Sequence, residues 1–358
     1  MRVGIIGAGQ LGQMLGIAAR DLDIECHFLD PSPSPPAAVC GDIIQRPFDD
    51  AAALDELART CDVITYEFEN VPVAALERIV DDVPVYPPID ALRQAQDRLY
   101  EKQLFTKLGV PLPGYHAIET WEDCAVAADK LSLPMVVKTR RLGYDGKGQF
   151  VVRERSELET AWKTLGGQAL IAEQWVNFDV EISAIGVRNT AGDIRIYPLT
   201  RNAHRDGILR TSQAPLDASS LEQKASDYMH QLLEHLQYVG VLALELFVRG
   251  DELLANEFAP RVHNSGHWTI EGSATSQFEN HLRAVTGMPL GSTRSHGHAG
   301  MVNLIGEIPD AVRTLTAAHL HDYGKTPRAG RKLGHVTVVS ESSRGRDELI
   351  DSVSAIVN

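Results

Sequence analysis

The sequence predicts a protein of mixed α/β and α+β class, built from an N-terminal parallel sheet, a mixed central region and a small β-rich C-terminal unit. Apolar runs alternate with helix-period segments over the first hundred residues, antiparallel-type β segments with polar turns follow, and a length of 358 residues suits two or three domains.

In the first segment RVGIIG, IECHFLD and DVITYE read as strands, with QLGQMLGIAARDL and DDAAALDELART as helices between them. That β-α-β-α-β order gives a parallel sheet. PSPSPP at 31–36 is a loop, VPVYPP at 83–88 closes the unit, and the first boundary falls near residue 95. From Asp97 a helical pattern, DRLYEKQLFTKLG, is ended by Gly109 and Pro111. Strand, helix and strand follow as YHAI, WEDCAVAADKLS and PMVVKTR, and then a Gly-rich loop. Next come EISAIGVRNTAGDIRIYPLTR as antiparallel β, an amphipathic helix around 218–238, and the strands VLALELFV and ELLANEFA. The C-terminal β-rich unit begins near residue 290.

Composition narrows the function. Hydrophobic residues make up 44% and charged residues 23%, and no apolar run nears the roughly 18 residues of a membrane span. The N-terminus lacks the basic start and long apolar run of a signal peptide. Cys26, Cys40, Cys61 and Cys124 form no CxxC pair, so reduced structural thiols in a cytoplasm are expected. A net charge of −14 argues against a nucleic-acid partner. Within this acidic chain Lys325, Arg328, Arg331 and Lys332 form a local basic cluster suited to a small anion.

GAGQLG places Gly7, Gly9 and Gly12 in G-x-G-x-x-G spacing between a strand and a helix, with Asp30 ending the second strand. This Rossmann-like feature suggests a nicotinamide dinucleotide site, although the same turn serves any phosphate at a parallel sheet edge. Nothing downstream reads as a hydride-transfer site.

Two later features read as a nucleoside-triphosphate site. After Lys138 comes RRLGYDGKGQF, a loop between strands with Gly143, Gly146 and Gly148 and the cations Arg140, Arg141 and Lys147. Backbone N–H groups and cations in such a loop suit phosphates, and a glycine-turned hairpin is the simpler alternative. Glu245 sits inside an apolar strand and Glu257 on its neighbour, with Asn256 beside it. Carboxylates in apolar strands need a compensating cation, and a pair of them suits Mg²⁺ completed by phosphate oxygens.

Lys138, the glycine loop, EQWV at 173–176, Glu181, Glu245 and the Asn256-Glu257 pair together resemble the ATP-grasp fold, over essentially the whole chain. The resemblance implies a Rossmann-like domain at 1–95, an ATP-grasp domain at 96–289 with a lid subdomain about 110–176, and a C-terminal domain at 290–358. It implies ATP and Mg²⁺, with Arg98 and Lys138 on phosphates and the loop Gly143, Tyr144, Asp145, Gly146, Lys147, Gly148 and Gln149 closing over them. The backbone of Glu173, Gln174, Trp175 and Val176 would hold the adenine edge, Glu181 the ribose hydroxyls, and His204 would lie in the same site. Glu245 and Glu257 would ligate the metal.

GQLGQM, GYDGKGQ, APRVHNSGHWTIE and YGKTPRAGRKLGH narrow the resemblance to the carboxyaminoimidazole ribonucleotide synthases, with Val262 and Leu142 as departures. A formate-dependent glycinamide ribonucleotide transformylase would show a different lid and an aspartate at Asn264. The resemblance implies ATP-dependent carboxylation of 5-aminoimidazole ribonucleotide by bicarbonate through carboxyphosphate, by a homodimer. Arg261, His263 and Asn264 would bind the bicarbonate or its phosphorylated form. Lys325, Arg331 and Lys332 would hold the ribonucleotide 5′-phosphate, Gln10, Leu11 and Glu67 or Glu69 would face its ribose and base, and Tyr144 and Asp145 would reach in from the lid. His267 and Trp268 read equally well as core residues. A catalytically idle nucleotide-binding regulator on this fold would not need Glu245, Glu257, Lys138 and Arg261.

Overall fold

The computed structural model describes residues 1–143 and 147–357. Its first sheet joins β1 (Arg2–Ile6), β2 (Glu25–Leu29), β3 (Asp42–Ile44) and β4 (Val63–Tyr66) in the order β3-β2-β1-β4. All three pairings are parallel, as the alternating pattern predicts. The edge strand β3 was not foreseen, because three residues are too short to register a period. The crossover helix Gln10–Arg20 buries Leu11, Met14, Leu15 and Ala19 at helical spacing. It packs against the helix Gln277–Val285, and its apolar face shares one core with Trp268, Phe278 and Leu282.

The second sheet is antiparallel: β5 (Tyr115–Ile118), β6 (Met135–Thr139), β7 (Gln149–Val152) and β8 (Leu170–Gln174), in the order β5-β8-β6-β7. Its core combines Ile118, Val137 and Leu170 with Ala127 and Ala161 from the helices Trp121–Leu131 and Leu158–Thr164. A capping box of Thr120 and Asp123 starts the first of those helices.

Nine strands form the third sheet: β9 (Val180–Arg188), β10 (Ile194–Ile196), β11 (Thr200–Arg205), β12 (Ile208–Ala214), β13 (Gly240–Arg249), β14 (Glu252–Ala259), β15 (His298–Ile305), β16 (His319–Asp322) and β17 (Lys332–Ser340). The order is β14-β13-β9-β11-β12-β15-β17-β16, with β10 on β9. The helix Ser219–His235 covers part of it through Ala225, Met229, Leu232 and Leu233. Strands after residue 290 continue this sheet through the β12–β15 pairing, so the C-terminal unit shares its hydrogen-bond ladder with the centre. The chain ends in a helix, Ser343–Val357, on β15 and β17, which a purely β reading of the C-terminus passes over. Its signal is there in Ile350, Val353 and Val357, spaced to bury one face.

Among the described residues no helix is long and apolar enough to cross a membrane. All four cysteines are free, and burial pushes the Cys26 thiol up to about 12, consistent with a structural thiol.

Candidate active site

The three sheets meet around a cleft of about 620 Å³. It is lined by Gln10, Leu11, Glu67 and Glu69 from the first sheet's loops and helix and by Lys138, Gly143, Lys147, Gln149 and Glu173 to Val176 from the second sheet and its loops. The large sheet adds Glu181, His204, Glu245, Asn256 and Glu257, and the following loop adds Arg261, His263, Asn264 and His267. Residues more than 250 positions apart in the chain thus line one cleft.

The glycine turn at Gly7 to Gly12 carries no open anion site. The Gly9 and Gly12 N–H groups donate to the Glu67 carboxylate at 2.7 and 3.1 Å, and Ala8 N–H donates to Asp30 at 2.8 Å. A carboxylate from within the chain therefore caps the helix dipole where a dinucleotide pyrophosphate would sit. Burial pushes the Glu67 carboxyl above its usual range despite those two donors.

One end of the cleft is an ion cluster. Lys138 sits 3.0 Å and Lys102 3.3 Å from the Glu173 carboxylate, and Arg98 sits 2.8 Å from Glu257. Burial raises the Glu173 carboxyl, but Lys102, Lys138 and Arg98 outweigh it and hold the group at about 2. The same contest, dominated by the Arg98 guanidinium, keeps Glu257 low. Three cations against two carboxylates leave a surplus positive charge for a polyanion. Lys102 was not foreseen, although it stands one helical turn after Arg98 and so on the same face. Its ammonium also donates to the Asn256 carbonyl.

Glu245 and Glu257 are register partners on β13 and β14, so both carboxylates rise from the same face. His263 Nε2 lies 3.1 Å from Glu245. Among the described residues there is no group of three or more His, Cys, Asp and Glu set to hold a metal. Two hard carboxylates beside a polyanion site nevertheless fit Mg²⁺, which takes the rest of its shell from phosphate oxygens and water.

At the other end Phe178 stacks on Phe247 at 4.6 Å, forming an apolar slot beside Trp175 and Val176. The Gln174 and Trp175 N–H groups are spent on Gly114 and Pro134, so they do not face a ligand. Glu181 accepts from His204 Nδ1 at 2.5 Å; burial opposes charge on that imidazole, and Glu181 overcomes it to raise its pKa.

Arg261 pairs with Glu69 through Nε and donates to the Val262 carbonyl, while the Asn264 amide is buried with neither its oxygen nor its nitrogen partnered. Such an amide keeps both its donor and its acceptor available.

Arg140 and Arg141, expected over the phosphates, turn instead to Asp97, with Arg140 forming a fork at 2.8 and 2.9 Å and also reaching Glu119. Asp97 accepts from the Leu99 N–H as well, so it ties the lid loop to the start of the helix bearing Arg98 and Lys102. Tyr144, Asp145 and Gly146 lie outside the described residues.

The basic cluster only partly enters the cleft. Lys332 lines it, whereas Lys325 reaches Gln10 at the start of the first helix and lies over the Tyr323 ring at 5.7 Å. Arg331 donates to the Thr326 carbonyl, and Arg328 is exposed. Burial, then Arg331 and Lys332, lower the Lys325 ammonium to about 8 against the pull of Glu67.

Residues 1–96 match the ribonucleotide synthetase preATP-grasp domain, 103–278 the ATP-grasp domain and 299–348 the phosphoribosylaminoimidazole carboxylase C-terminal domain. The chain is similar to the N5-carboxyaminoimidazole ribonucleotide synthase of Pseudomonas aeruginosa, 45% identical over 359 residues covering 100% of this chain and 99% of that one. It superposes on the corresponding synthetase of Thermus thermophilus with a TM-score of 0.95 at 49% identity, covering 99% and 98% of the two chains. An Aspergillus clavatus synthase solved with ADP and 5-aminoimidazole ribonucleotide gives a TM-score of 0.93 at 30% identity, with coverage of 99% and 98%.

Proposed function

The chain belongs to the N5-carboxyaminoimidazole ribonucleotide synthases, ATP-grasp ligases, and from that premise we propose how its cleft divides the work. The reaction is the ATP-dependent carboxylation of 5-aminoimidazole ribonucleotide, a step of purine biosynthesis. The observation that carries the reading is the convergence of a cationic phosphate end, an in-register carboxylate pair and the unpartnered Asn264 amide in one cleft.

Arg98 and Lys138 hold the triphosphate, with Lys102 fixing Glu173 so that Lys138 keeps its place. The Glu173 to Val176 segment and the Phe178–Phe247 slot take the adenine, and Glu181 with His204 takes the ribose. Glu245 and Glu257 would hold Mg²⁺, which when bound draws charge from the phosphate oxygens. Arg261, His263 and Asn264 hold bicarbonate so that its oxygen meets the γ-phosphate. That attack expels ADP and leaves carboxyphosphate, shielded from water by the lid loop; its carbon then passes to the amine as inorganic phosphate leaves and the amine gives up a proton. Lys332 and Lys325, with Arg331 behind them, hold the 5′-phosphate, while Gln10, Leu11 and Glu69 border the ribose and base.

Domain limits near residues 95 and 290 follow the same division, and family resemblance supports a cytoplasmic homodimer. An ADP-release assay tests the reading: turnover requires both 5-aminoimidazole ribonucleotide and bicarbonate. ADP release indifferent to the ribonucleotide would overturn it.

A further inference from the structure

The loop from His263 to Thr269 forms one wall of the cleft, and a residue outside it sets its chemistry. Gln277, on the neighbouring helix, is fully buried. Its Oε1 accepts from the His263 N–H at 3.0 Å and its Nε2 donates to the His263 carbonyl at 2.7 Å. A backbone N–H can only donate and a carbonyl can only accept, so these two bonds fix which end of the amide is which. The same Nε2 lies 3.2 Å from His267 Nδ1. Since that nitrogen is a donor, His267 Nδ1 must accept, and the ring proton must be on Nε2.

The surroundings hold this arrangement. Thr269 Oγ1 accepts from the Gln277 N–H at 3.0 Å and donates to the Gly266 carbonyl at 2.6 Å. A Cβ on Gly266 would stand 2.6 Å from Gln277 Oε1, so the glycine lets the Gln277 amide come close to the loop. The His267 ring packs against His335 at 4.9 Å and Phe278 at 5.4 Å. His267 borders the cleft on the wall that carries Arg261, His263 and Asn264, and it is otherwise buried.

We infer that Gln277 is a positioning residue that locks His267 as a neutral, Nε2-protonated hydrogen-bond donor to the bicarbonate-derived anion. The inference deepens the bicarbonate reading of this wall and rests on it. Neutrality fits the location: burial, with His263, His321, Lys332 and Arg261 adding repulsion, pushes the His267 imidazole well below its usual range. A neutral donor binds an oxyanion without delivering a proton, and both carboxyphosphate and the carbamate product are destroyed by acid.

Two measurements test this. The first is ¹⁵N NMR of the histidine rings in the unmodified protein, with His267 identified by the signal lost in His267→Gln. The expected result at neutral pH is a neutral ring protonated at Nε2, while an Nδ1-protonated or doubly protonated ring overturns the inference. This reading holds whether or not the protein uses bicarbonate, so failure of the functional reading remains distinguishable.

The second is kinetic. A Gln side chain can place its amide nitrogen near His Nε2, whereas Asn reproduces only the Nδ1 side that faces Gln277. His267→Asn should raise the bicarbonate KM roughly ten-fold or more with the ATP KM unchanged, and His267→Gln should recover much of that loss. If Asn is the milder substitution, or if both lower only the melting temperature, the residue is structural and the inference falls. Gln277→Glu adds a check on the folded variant, since a carboxylate facing Nδ1 would draw a proton there and the NMR signature would change accordingly.

Discussion

Glu245 and Glu257 face each other in register across β13 and β14, one beside His263 and the other held by Arg98. Each carboxylate has a cationic or hydrogen-bonding partner within the chain, and those partners belong to the groups proposed for bicarbonate and phosphate. Glu257→Gln therefore strikes the proposed metal site and the Arg98 anchor together. ADP release should fall at least roughly a hundred-fold and the Mg²⁺ requirement should shift upward, with the melting temperature little changed. Near wild-type turnover at saturating Mg²⁺ would remove Glu257 from the metal site.

Lys332 tests the proposed division of the cleft between the two nucleotides. Lys332→Ala should raise the KM for 5-aminoimidazole ribonucleotide roughly ten- to a hundred-fold while the ATP KM stays nearly constant. A rise confined to the ATP KM would place the basic cluster in the triphosphate site.

Lys325 gives that binding a pH signature. Its ammonium is lowered to about 8, chiefly by burial and by Arg331, so the charge is present below that pH and lost above it. For the ribonucleotide, kcat/KM should fall as pH rises through about 8, and Lys325→Arg should abolish the fall by keeping the charge. A profile identical in the two proteins would show that Lys325 does not grip the phosphate.

Glu101 tests the floor beneath the phosphate end. Burial drives its carboxyl up to about 8, although Lys102 beside it and the Phe258 N–H favour the charged form. The folded state thus holds a proton between about 4.5 and 8 that the unfolded chain releases, and this group makes stability fall as pH rises across that window. Glu101→Gln should flatten that part of the slope while keeping activity at neutral pH. Glu101→Ala should cost about 1–3 kcal/mol by stranding the buried Phe258 N–H, read as a lower melting temperature. Equal losses in both variants would count against a protonated Glu101.

Gly148 tests the lid. It holds a φ of +71°, and a Cβ there would sit 2.6 Å from Thr139 Oγ1. Gly148→Val should strain the hinge of the loop and lower ADP and carboxylated product in parallel. Unchanged rates would make the loop a plain surface turn.

Much of this architecture is legible in the sequence because the signals are local. The strand-helix alternation before Glu67 and the two apolar strands bearing Glu245 and Glu257 fall within windows where periodicity speaks. What escapes is long-range or too short. β3 is only three residues, and the pairing of β12 with β15 joins segments about ninety positions apart, so the continuity of the large sheet has no local trace. Asp97 could be seen as a helix cap but not as the anchor of Arg140 and Arg141, which turned cations expected over phosphate into a structural tie. Gln277 carries no motif at all; its role comes from an amide brought onto His263 and His267 by the packing of Phe278 and Leu282.

The most direct test of the account follows the carbon. The protein is incubated with ATP, Mg²⁺, 5-aminoimidazole ribonucleotide and ¹³C-bicarbonate, and the products are read by ¹³C NMR alongside ADP release. An acid-labile carbamate carbon on the ribonucleotide amine is expected, formed one for one with ADP and absent when any one substrate is withheld. ADP formed without labelled carbamate, or labelled product obtained from formate in place of bicarbonate, would contradict it.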